Sequence, residues 1–170
     1  MEHLDSTEDI ILFFDECARI EGLCASLYHY YSELFKDNDE VSRLWKKTAL
    51  EEENHQKQFE LAHRLQDDIG FELTADLERP QRVYQKLNQL LEHVRQNPPD
   101  LVTALTKAIE MEENLADLHV DSSVRFHDES IKQMFLAMRA FDQDHIKSLR
   151  LCLTAMMLPQ AEMASRRTDE

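Results

Sequence analysis

Two glycines and four prolines in a chain of 170 residues leave few places where a helix must stop, and this scarcity limits the fold more than any other feature of the sequence. Average usage would supply about 7% glycine and about 5% proline. Leu, Glu, Ala, Lys, Gln and Met, residues that cost a helix little, are plentiful instead, so the chain is expected to be all-α with long uninterrupted helices. A chain of this length can bury a real hydrophobic core without disulfides or a structural metal to hold it closed, and residues 1–170 read as one domain.

Four main helices are expected, over about 7–36, 40–69, 100–127 and 130–158. Ser6 with Asp9 resembles a capping box, and Ile10, Phe14, Cys17, Cys24, Tyr28, Tyr31 and Phe35 keep an apolar period through the first helix. The turn DND at 37–39 introduces the second, marked by Val41, Trp45, Thr48, Phe59, Ala62 and Ile69 and stopped by Gly70. Residues 70–99 form a crossover connection in which Val83, Leu87, Leu90, Leu91 and Val94 predict a shorter amphipathic helix before NPPD at 97–100. Asp100 can cap the third main helix, with Leu101, Leu105, Ala108, Leu115, Ser122 and Phe126 on one stripe. After HDES at 127–130, Ile131, Phe135, Met138, Leu149, Cys152 and Met156 mark the fourth; Pro159 is expected to end it and to leave a frayed polar tail over 159–170.

Nineteen Lys and Arg against 34 Asp and Glu give a net charge of −15, which repels nucleic acid and anionic lipid. The three cysteines, Cys17, Cys24 and Cys152, contain no C-x-x-C pair. That excludes a rubredoxin or zinc-ribbon module and argues against a disulfide framework, so a reducing compartment is expected. No apolar run approaches the roughly 18 residues of a membrane span, and MEHLDSTED lacks the basic and apolar regions of a signal peptide. The cytoplasm is the expected location, and the exposed apolar helix faces suggest a homodimer.

Six positions break the apolar stripes from within. Glu21 lies between Cys17 and Cys24 at spacings of four and three, which keeps all three on one helix face. By the same rule Glu52 and His55 lie between Thr48 and Phe59, Glu112 between Ala108 and Leu115, and Asp142 and His145 between Met138 and Leu149. Four bare carboxylates in one core would each cost several kcal/mol to desolvate. Two divalent cations would balance them, with two neutral imidazoles completing the shell, and mixed carboxylate and imidazole ligation suits iron or manganese and also admits zinc. The expected metal ligands are therefore Glu21, Glu52, His55, Glu112, Asp142 and His145. Any single Glu-x-x-His pair is equally an ordinary solvated feature of a helix.

The spacing repeats. Glu112 follows Glu21 by 91 residues, Asp142 follows Glu52 by 90, and His145 follows His55 by 90, while Tyr28 and His119 each lie seven residues after their glutamate. E21-x6-Y28, E52-x-x-H55, E112-x6-H119 and D142-x-x-H145 together resemble the rubrerythrin branch of the ferritin-like di-iron carboxylate proteins, over residues 10 to 157. The resemblance implies a ferritin-like four-helix bundle with one long crossover. It also implies a site of two metal ions, expected to be iron, and oxidoreductase chemistry on hydrogen peroxide or dioxygen acting through Glu21, Glu52 and Glu112 at the metal centre. Departures from the family pattern are Asp142 in place of glutamate, Ile109 in place of the additional helix-3 carboxylate, and no rubredoxin module, so the electron donor is expected to be external. The alternatives are a non-catalytic iron-binding, storage or sensing protein and a structural bundle with a degenerate site. Tyr28 reads as a hydrogen-bond donor to a ligand carboxylate, a radical relay or packing, His119 as an outer partner, a surface residue or a ligand, and Cys17 and Cys24 as small apolar filling.

Overall fold

The structure, a computed structural model, describes residues 7–65, 71–73, 78–119 and 124–167. Helices α1 (Thr7–Leu34), α2 (Asp39–Leu65), α3 (Glu78–Gln96), α4 (Leu101–His119) and α5 (Glu129–Arg167) make an all-α bundle. Strands β1 (Phe71–Leu73) and β2 (Val124–Phe126) pair antiparallel, Phe71 opposite Phe126 and Leu73 opposite Val124, and join the chain after α2 to the chain before α5.

Side-chain caps set three of the helix starts. Asn38 Oδ1 accepts the Val41 N–H at 3.2 Å, Asp100 Oδ1 that of Thr103 at 2.7 Å, and Asp128 Oδ1 that of Ile131 at 3.0 Å, each satisfying an amide that the first turn leaves without a partner. Two boundaries differ from the sequence expectation. Residues 124–126, expected inside a helix running to 127, form β2; Val124 and Phe126 are β-branched and aromatic, residue types that favour a strand. Helix α5 continues past Pro159 to Arg167 rather than ending there. A proline forfeits one i to i−4 bond, and the following Ala161, Glu162, Met163 and Ala164 favour continuation. Ser6, Ile69, Gly70 and Ser122 lie outside the described residues, as do the side chains of Ile10, His119 and Phe126.

The buried apolar side chains fall into two clusters. One holds Leu27, Tyr28, Tyr31, Trp45, Leu87, Leu91, Leu105 and Leu149; the other holds Phe13, Phe14, Cys17, Phe59, Phe135 and Met138. Along α1 the chain passes from the second cluster to the first, along α2 from the first to the second, and along α5 from the second to the first. These helices therefore alternate in direction, and each crosses the space between the clusters once. Helix α3 lies against α1, held by a hydrogen bond from Tyr30 Oη to Val94 O at 2.9 Å and by the Arg19 guanidinium 4.1 Å above the Tyr84 ring. At the α1–α2 contact a Cβ on Gly22 would stand 3.1 Å from Gln56 Oε1, so the missing side chain lets the helices meet closely beside Glu21 and His55. No described helix is long and apolar enough to cross a membrane.

Candidate metal centre

The layer between the two apolar clusters is where the polar side chains converge. Glu21, Glu52, His55, Glu112, Asp142 and His145 are all at most 4% exposed. Helical period explains this: each sits three or four residues from buried apolar neighbours, Cys17 and Cys24 around Glu21, Phe59 after His55, Ala108 and Leu115 around Glu112, and Met138 and Leu149 around Asp142 and His145.

Glu52 occupies the middle. Its Oε2 lies 3.1 Å from His55 Nδ1, and its Oε1 lies 3.1 Å from His145 Nδ1, so one carboxylate spans the gap between two imidazoles whose ring centres are 5.8 Å apart. Around His55 Nδ1 stand Glu21 Oε2 at 3.7 Å and Asp142 Oδ1 at 3.5 Å as well. Glu21, Glu52 and His55 form one group able to hold a cation, and Glu52, Glu112 and His145 a second that shares Glu52. The sequence repeat sets Glu21, Glu52 and His55 against Glu112, Asp142 and His145; in space Asp142 contacts the histidine of the other half.

The spacing of donors tests whether a metal ion fits. Two donors each about 2.1 Å from one ion are about 3.0 Å apart at a right angle and about 3.4 Å apart at the tetrahedral angle. The distances around His55 Nδ1 and His145 Nδ1 fall in or close to that range. Glu52 Oε1 and His145 Nδ1 are buried and face each other with no hydrogen bond made by either, an arrangement that two convergent lone pairs adopt around a cation. The residues present fit the group that the donor set implies.

Charge in this layer is managed by protons in the metal-free protein. Burial acts to lower the His55 pKa, but hydrogen bonding to Glu21 and Glu52 and the charge of both outweigh it, raising the value to about 11. Burial works the same way on His145, and Glu52, Glu112 and Glu51 overcome it, raising the value to about 9. Glu112 is raised well above the ordinary carboxylate range by burial and by the charge of Glu52. Burial foremost, and then the charge of Glu21, raises the thiols of Cys17 and Cys24, which keeps both protonated and suits them to filling space rather than to ligation.

Tyr28 donates a short hydrogen bond from Oη to Glu112 Oε1 and stacks on Trp45 with ring centres 5.4 Å apart. It thereby fixes the one acid that α4 contributes. A surface cavity of about 490 Å³ is lined by Glu51, Asn54, His55, Lys57, Gln58, Leu61 and Phe141 and leads from solvent to the His55 ring. The sequence reading missed Glu51, whose Oε2 lies 2.5 Å from His145 Nε2; in the run EEE at 51–53 nothing marks it out. It also missed Glu16, 7% exposed and paired with Arg19 at 2.7 Å. Neither the family models, nor the curated proteins, nor the solved structures gave a match to this chain.

Proposed function

We propose that this protein holds two metal ions, iron in the first instance, in a rubrerythrin-like, ferritin-like centre and uses them for redox chemistry on hydrogen peroxide or dioxygen. The observation that carries this reading is Glu52, whose two carboxylate oxygens each lie 3.1 Å from a different histidine, the disposition of an acid shared between two cations. A long connection carrying α3 between α2 and α4 is compatible with a ferritin-like crossover. Glu21 and His55 would hold one ion, Glu112 and His145 the other, with Glu52 between them and Asp142 beside His55.

When bound, the ions would supply the one-electron steps that no side chain here provides. The chain's own part is to bind, orient and exclude. Its two apolar clusters shut water out above and below the layer, Tyr28 holds Glu112 in place, and the cavity beside His55 admits a molecule the size of peroxide or dioxygen. Electrons would come from an external donor. The experiment is to load the protein anaerobically with ferrous iron, count the metal retained and then mix it with peroxide. Retention of two ions per chain and repeated turnover with an added reductant are expected. Two ions with a single turnover would favour an iron-binding or storage protein, and one ion or none would refute the dinuclear centre.

A further inference from the structure

A second cavity is lined by none of the six candidate ligands. Helices α3 and α4 follow one another through the turn NPPD at 97–100, a connection short enough to make them antiparallel neighbours. Each turns an apolar stripe to the space between them, Val83, Leu87 and Leu90 on α3 and Met111 and Leu115 on α4, at helical spacings of three, four and seven. The stripes floor a groove of about 570 Å³, in which Leu87 and Leu115 are buried and Val83, Leu90 and Met111 half-buried.

The rim of this groove is opposite in sign to the molecule as a whole. Arg79, Arg82 and Lys86 stand along α3 and Lys107 on α4, and Glu110 is the one acid among the described residues that line it, on a chain whose net charge is −15. Arg82 pairs with Glu78 at 2.8 Å and Lys107 with Glu110 at 2.7 Å, all four side chains more than half exposed. Pairs of that kind add little to stability, so both cations can turn to a better acceptor at small cost.

We infer that the groove binds a long-chain carboxylate, its tail along the apolar floor and its head on the charged groups of Arg79, Arg82 and Lys86. Charge and size select that occupant. Nucleic acid or an acidic protein would reach beyond the four cations into a strongly negative field, whereas a monoanion seated within the groove stays inside about 8 Å of screening length from them. A second copy docked about a twofold axis would bring the same cations against each other. The volume is that of a small-molecule site, about 300–1,000 Å³, and the lining has the pattern of one, apolar with a few convergent polar groups. Guanidinium forks match a carboxylate, the Lys86 stem extends the apolar wall beneath its charge, and the unbranched Met111 can follow chains of different length.

The test is a calorimetric titration of the full chain with dodecanoate below its micelle concentration, beside dodecyltrimethylammonium and dodecanol, which carry the same chain with a positive head and with an uncharged one. Dodecanoate should bind at one site and at least about tenfold tighter than either analogue, against the preference for cations that a net charge of −15 imposes. Each added pair of methylenes from octanoate to dodecanoate should tighten binding about three- to tenfold. In methyl-labelled protein the shifts at saturation should centre on Val83, Leu87, Leu90, Met111 and Leu115. Arg82→Gln combined with Lys86→Gln, both at exposed positions, should weaken dodecanoate about tenfold and leave dodecanol within about twofold. Absence of saturable binding, equal affinity for the three heads, tighter binding of the ammonium, shifts confined to other residues, or a double variant that binds dodecanoate as the wild type does would each overturn the inference. If the double variant fails to fold, the wild-type methyl shifts and the order of the three heads decide.

Discussion

Filling the centre with two divalent cations should expel between two and three protons at pH 7. In the metal-free protein His55 faces Glu21, Glu52 and Asp142, and His145 faces Glu51, Glu52 and Glu112. With pKa values of about 11 and about 9, both rings are protonated at pH 7, and each must lose a proton before Nδ1 can reach a cation. Glu112, raised by burial and by Glu52, supplies up to one more. Histidines with the ordinary pKa of about 6.5 would together release only about half a proton. Each released proton adds one unit to the slope of log K against pH, so the overall binding constant should climb about 100- to 1,000-fold between pH 7 and pH 8. Adding zinc(II) to weakly buffered protein with a pH indicator measures the release directly, and calorimetry in buffers of different ionisation enthalpy measures it independently. Release of less than one proton per two zinc ions would refute the reasoning, because one of the two rings would then be either uncharged or uninvolved.

The same shifts give the metal-free protein the opposite dependence. A group whose folded pKa exceeds its unfolded value contributes stability that is complete below the unfolded value and is lost as pH rises through the folded one. From a starting value of 6.5, the contribution of His145 is lost up to about pH 9 and that of His55 up to about pH 11. Glu112, raised above 4.5, has the same sign. The melting temperature of the metal-free protein should therefore fall from pH 6.5 to pH 9 while the gap to the zinc-loaded protein widens. A gap that narrows would contradict the linkage.

Three substitutions probe the parts separately. Asp142→Glu adds a methylene to an acid that is 2% exposed and already 3.5 Å from His55 Nδ1; overpacking should destabilise the metal-free fold by about 1–3 kcal/mol and weaken binding, as thermal melts and ferrous titration would show. Tyr28→Phe removes the donor to Glu112 and should cost about 1–3 kcal/mol in denaturant unfolding; an unchanged midpoint would mean that the hydrogen bond adds nothing. Gly22→Ala puts a Cβ 3.1 Å from the end of the flexible Gln56 side chain, which can move aside, so the helix-propensity gain of about 0.5–1 kcal/mol should prevail. A lowered melting temperature would show that Gln56 cannot give way.

Helical period made most of the layer legible. Glu21, Glu52, His55, Glu112, Asp142 and His145 each interrupt an apolar stripe at a spacing of three or four, and a stripe that continues on both sides of a polar residue carries that residue inward; all six are buried. Glu51 was not legible by that rule. Its position on α2 belongs to the outer flank, and only the approach of α5, fixed by packing some 90 residues away in sequence, brings His145 against it. The strands are illegible for a related reason: three residues carry no period, and Phe71 becomes strand only because Phe126 pairs with it. Pro159 misled because a single missing hydrogen bond is a local cost, whereas the helix beyond it draws on several strong formers.

The repeat in the sequence suggests two equivalent halves, and the side chains make them unequal at two consecutive positions. Glu52 is long enough to set its two oxygens 3.1 Å from each histidine. Its counterpart Asp142, one methylene shorter, contacts His55. One acid is thus placed to be shared and the other to serve a single neighbour. One residue earlier, Glu51 touches His145 while Phe141 lines the open cavity beside His55. Both rings are buried, His55 2% and His145 4% exposed. Two cations held here would occupy unlike settings, one beside Glu112 and His145 and the other beside Glu21, His55 and Asp142, with Glu52 common to both.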